Sequence, residues 1–120
     1  MKWMGLAILS FALMAGTGCK DKQNPLVTEA EDAVKQILKD PGSVEFRYVS
    51  VVQVATPAGK DPIVCGEFNA RNSLGGYVGF EPFAWHPDGK LLTKAAMPDA
   101  DLEVLYSGLE TICSGKLYQP

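Results

Sequence analysis

A chain of 120 residues with a formal net charge of −3, from 11 Lys and Arg against 14 Asp and Glu, has the length of one compact domain. Its acidic balance, with no basic run, excludes the Lys/Arg face that nucleic-acid phosphates demand. One His and three Cys in no CxxC or His-rich spacing, and carboxylates in no calcium-loop spacing, leave no metal or cofactor to expect.

The chain opens on Met1-Lys2, continues apolar from Trp3 to about Ala15, and reaches Gly16, Thr17 and Gly18 before Cys19. That is the layout of a secretory signal, and its apolar run of about a dozen residues falls short of the roughly 20 that a membrane-spanning helix needs. Ending in Gly18-Cys19, it resembles the signals of bacterial lipoproteins, in which the cysteine is diacylated and becomes the mature N-terminus. The resemblance implies a signal peptide over 1–18, a lipidated N-terminus and short linker over 19–28, and a single domain over 29–120. The protein is then exported and lipid-anchored at Cys19 to a bacterial membrane, facing the periplasm or the cell exterior. Where lipoprotein signals usually carry Leu this chain has Gly16, so ordinary cleavage nearby, leaving a soluble secreted protein, is the alternative.

Thr28 and Glu31 form a capping box, and Ala30, Ala33, Val34, Ile37 and Leu38 recur at helical spacing, predicting a helix from about Glu29 to Lys39 that Pro41-Gly42 ends. From Ser43 to Ala55 the period changes to two, with Val44, Phe46, Tyr48, Val52 and Val54 on one face, which predicts a strand. The break over 56–62 and a second strand from Ile63 to about Arg71 make a hairpin. Asn72-Ser73-Leu74-Gly75-Gly76 is a turn, followed by a third strand from Tyr77 to His86. Pro82 within it points to an edge or a bulge. His86-Pro87-Asp88-Gly89 turns into a short fourth strand over Lys90 to Thr93. Asp99 is placed to cap a last helix with Leu102, Leu105, Tyr106, Leu109, Ile112 and Cys113 on one stripe, closed by Gly115. The class is α+β: a helix, a three- or four-stranded antiparallel meander, and a C-terminal helix.

With Cys19 lipidated, Cys65 and Cys113 remain as a pair in an oxidising compartment, predicting one disulfide from the sheet to the last helix; two buried free thiols are the alternative. The helix is then expected on the sheet face that carries Cys65. Loop closure of this size corresponds to roughly 4 kcal/mol.

The segments Leu38-Lys39-Asp40-Pro41-Gly42-Ser43 with Phe46-Arg47, and Val64-Cys65-Gly66 through Asn69-Ala70-Arg71-Asn72-Ser73 to Gly75-Gly76-Tyr77-Val78-Gly79-Phe80, resemble a family of small exported bacterial and prophage proteins of uncharacterised function. The resemblance implies the domain boundaries and no chemistry.

With Arg71 opposite Tyr77, antiparallel pairing sets Glu67 opposite Glu81, Cys65 opposite Phe83 and Ile63 opposite Trp85, a register open to a slip of one residue. Two adjacent carboxylates are the separation of a retaining glycosidase, and the competing reading is Arg-paired carboxylates with Arg47 or Arg71 as partner. His86, alone and in a turn, has no nucleophile beside it. No catalytic residue is therefore assigned. At the hairpin tip Arg71, Asn72, Ser73 and Tyr77 combine a bidentate donor, small polar groups and an aromatic, the composition of a protein contact; turn formation and packing on the sheet are what these residues do otherwise. The expected function is a protein-binding module of the envelope (an inhibitor, immunity or exclusion factor), with a structural or assembly role there as the alternative and a carboxylate-dyad hydrolase behind both.

Overall fold

The computed structural model describes residues 24–115; Cys19, the signal and the start of the linker lie outside them. The first helix, α1 (Pro25–Gln36), begins where Asn24 Oδ1 accepts the Leu26 N–H at 2.9 Å and Pro25 occupies the first helical position. It therefore starts ahead of the predicted Glu29, and Thr28, expected as the cap, lies exposed inside it. Residues 25–28, expected as linker, belong to the packed domain, with Val27 buried in its core. A 3₁₀ turn, Pro41–Ser43, leads into the sheet.

The strands are β1 (Glu45–Thr56), β2 (Gly59–Asn69), β3 (Glu81–Trp85) and β4 (Leu91–Leu92), antiparallel neighbours in the order β1-β2-β3-β4. The second helix, α2 (Leu102–Cys113), is capped by Asp101 in place of the expected Asp99. Asp101 Oδ1 accepts the N–H groups of Glu103 at 2.9 Å and Val104 at 3.1 Å. Gly115, with φ 77°, follows its end as expected.

Strand alternation divides the core between two faces. On one, Val64, Phe68, Phe83 and Trp85 pack with Val27, Ala30 and Val34 of α1. On the other, Cys65 and Ala84 pack with Leu105 and Leu109 of α2. The sheet is thus the middle of three layers, and the Cys65–Cys113 disulfide, with Cα atoms 5.9 Å apart, fastens α2 to the face predicted for it.

The register between β2 and β3 differs from the sequence expectation. Arg71 does face Tyr77, but Phe68 faces Glu81, Glu67 faces Pro82 and Cys65 faces Ala84. Three residues separate Tyr77 from Glu81 where two separate Phe68 from Arg71. Gly79, at φ 103° and with its N–H donated to Asn69 Oδ1 at 3.0 Å, lies in the longer stretch. The third strand consequently begins at Glu81, not at Tyr77. Pro82 is accommodated because β4 pairs only with Ala84 and Trp85, leaving β3 unpaired on that side at the proline.

Candidate functional site

The slip of one residue puts Glu67 and Glu81 on opposite faces of the sheet, because directly paired residues share a face and successive ones alternate. Glu67 takes the other role weighed for it: Arg47 Nε donates to its Oε1 at 2.6 Å. Glu81 is structural as well. Its Oε2 accepts from the Thr93 hydroxyl at 2.6 Å and from the Ala95 N–H at 3.1 Å, holding the chain that leaves β4. The two carboxylates do not form a dyad.

His86 is half-buried in the turn after β3. The Asp88 N–H donates to its Nδ1 at 3.0 Å, and Nε2 lies 2.9 Å from Asp61 Oδ2, which puts the proton of the neutral ring on Nε2. Its pKa is raised, first by the hydrogen bond to Asp61 and then by Asp88, against a lowering by burial. Asp88 is lowered, chiefly because its carboxylate accepts the Lys90 N–H. Both ring nitrogens are committed, so His86 joins the start of β2 to the β3–β4 turn and has no base to offer a bound molecule.

The tip between β2 and β3 is where Arg71, Asn72, Ser73 and Tyr77 do come together. Asn72 builds the turn: its N–H donates to Gly76 O at 2.8 Å and its carbonyl accepts from Gly75 at 3.0 Å. Its Oδ1 accepts the N–H groups of Leu74 at 2.9 Å and Gly76 at 3.2 Å. The Tyr77 hydroxyl donates to the Ser43 carbonyl at 2.9 Å, while the Ser43 hydroxyl accepts the Arg71 N–H at 3.0 Å and donates to the Asp40 carbonyl at 2.8 Å. The tip is therefore lashed to the 3₁₀ turn. Asn72 spends its side-chain oxygen on the turn and Tyr77 its hydroxyl on this support, and Ser73 stands exposed. The Arg71 guanidinium lies 5.5 Å from the Tyr77 ring centroid and has no ion pair among the described residues.

The tip also displays apolar side chains. Leu74 at its apex is 93% exposed and Val78 65%. Val78 also borders a cleft of about 250 Å³ whose other walls include Ile37 and Leu38, just past the end of α1, and Arg71. Sequence reasoning passed over Leu74 and Val78 and took the turn for its polar residues. The available signal was a leucine set between an Asx-turn asparagine and two glycines, where no strand alternation can carry it to a core. Among the described residues no group of His, Cys, Asp and Glu is placed to hold a metal ion, and no helix is long and apolar enough to cross a membrane. The disulfide fits an oxidising, exported setting. No family model, curated protein or solved structure matches the chain.

Proposed function

We propose that this protein is a small envelope lipoprotein that binds another protein through the β2–β3 tip and the adjoining cleft. The observation that carries the reading is Leu74, an aliphatic side chain held almost wholly in solvent by a turn with four internal hydrogen bonds. Docking would bury its apolar surface, which favours binding, and a turn already rigid loses little entropy on docking. The Arg71–Tyr77 pair supplies residue types enriched where binding energy concentrates, and Val78 adds apolar area beside it.

Anchoring orients this surface. Twelve residues of helix α1 rise about 18 Å, and Ile37 and Leu38 beside the tip follow its C-terminal end. A lipid on Cys19, shortly before Asn24, restrains the N-terminal end and directs the tip away from the bilayer. A photocrosslinking residue in place of Leu74 tests the reading in cells. One discrete protein adduct is expected, absent when the same residue replaces Lys60 at the opposite, β1–β2 end; adducts from both positions, or from neither, would refute it.

A further inference from the structure

Among the described residues Tyr48 is the non-glycine residue with positive φ, at 58°. It occupies a bulge: Arg47 faces Glu67 and Ser50 faces Cys65, so β1 carries one residue more than β2 across this interval. The bulge serves Val49, which leans over Gly66 so closely that a Cβ there would lie 2.8 Å from Val49 Cγ2. The Tyr48 ring stands beside this packing and faces the Arg47 guanidinium, 5.1 Å from its centroid. A bulge in the left-handed region is normally glycine, a bulky side chain there is strained, and this one is 77% exposed. Arg47 engages the ring in part, and most of it stands in solvent.

The Tyr48 ring borders a cleft of about 260 Å³ on the α2 face, with Tyr106, Glu110 and the Cys65–Cys113 bridge among its walls. That volume lies below the roughly 300–1,000 Å³ of small-molecule pockets and suits one long side chain. Glu67, also in the wall, is neutralised by Arg47, whose guanidinium lies 3.8 Å from the Phe80 ring centroid. Glu110 has no ion pair among the described residues, so the uncompensated charge of the cleft is negative. Two exposed tyrosine rings with an unpaired carboxylate provide stacking faces and a bidentate acceptor for a planar cation.

We infer that this cleft receives an arginine side chain of a protein partner, at a second contact separate from the tip. Titration of the isotope-labelled protein with Nα-acetyl-arginine amide, followed by nuclear magnetic resonance, tests it, with Nα-acetyl-norleucine amide as the uncharged probe. The arginine probe is expected to shift Tyr48, Tyr106 and Glu110 to saturation and the norleucine probe to leave them unmoved. Glu110→Gln and Tyr48→Gly are each expected to weaken binding about tenfold. Circular dichroism of Tyr48→Gly should show the wild-type fold, because glycine suits the left-handed backbone at 48. Leu74→Ser should leave the titration unchanged, which separates this inference from the tip reading. An equal response to the uncharged probe, or normal binding by the folded Tyr48→Gly variant, would overturn it.

Discussion

His86 shows how one residue in this protein depends on groups far apart in sequence. In the neutral ring Nδ1 accepts the Asp88 N–H; once protonated, the same nitrogen lies 3.0 Å from Asp88 Oδ1 and gains an ionic partner there, with Asp61 on the other side. The folded pKa is raised above the ordinary 6.5, chiefly by Asp61. The stability contributed by protonation is therefore complete below the unfolded pKa and is lost as pH rises through the folded value. Urea unfolding of wild type and His86→Gln should show a larger gap at about pH 5.5 than at about pH 8.5, and a gap independent of pH would show that the carboxylates do not stabilise the imidazolium. A turn histidine was legible in the sequence from Pro87, Asp88 and Gly89. Its pairing with Asp61 was not, because that contact needs the β1–β2 hairpin folded beside β3.

At the scale of elements, β1 packs closely on β2 at Gly66. A Cβ on Gly66 would meet Val49 Cγ2 at 2.8 Å, Val49 Cα at 3.0 Å and Phe83 Cε1 at 3.2 Å. The Val49 backbone cannot swing aside as a side-chain end does, so Gly66→Ala should destabilise the domain by about 1–3 kcal/mol. Val49→Ala in the same chain should recover only part of the loss, since it relieves the clash with the side chain and leaves the one with the backbone in place. Urea midpoints of the two variants check both statements, and full recovery would mean that the backbone yields. The order and type of the elements were legible because apolar period and turn residues are local properties: helix, meander and helix appear as read. Boundaries failed where a stronger local signal was passed over, as with Asn24-Pro25 ahead of Thr28. The β2–β3 register failed for a different reason. Gly79 is one of several glycines near the turn, and only the pairing of Phe68 with Glu81 on one side and Arg71 with Tyr77 on the other shows an additional residue between them.

Across the whole molecule, α1 and α2 lie on opposite faces of one sheet, and the bridge between Cys65 and Cys113, 48 residues apart, is the covalent tie of α2 to its face. Either Cys65→Ser or Cys113→Ser removes the same crosslink, so each should lower stability by a similar amount, roughly 4 kcal/mol on loop-closure grounds. Chemical unfolding of both variants is the check, and unequal losses would assign the difference to packing of the thiol left behind. The α+β class, the sheet-to-helix disulfide and the polar turn between β2 and β3 were determined by the sequence alone, through apolar period, cysteine count and turn chemistry. Tertiary structure alone decided that Glu67 and Glu81 part to opposite faces, that Ser43 braces Arg71 and Tyr77, and that Tyr48 stands in solvent. Each of these depends on a single-residue offset in strand pairing or on an approach of distant segments, and neither leaves a periodic trace along the chain.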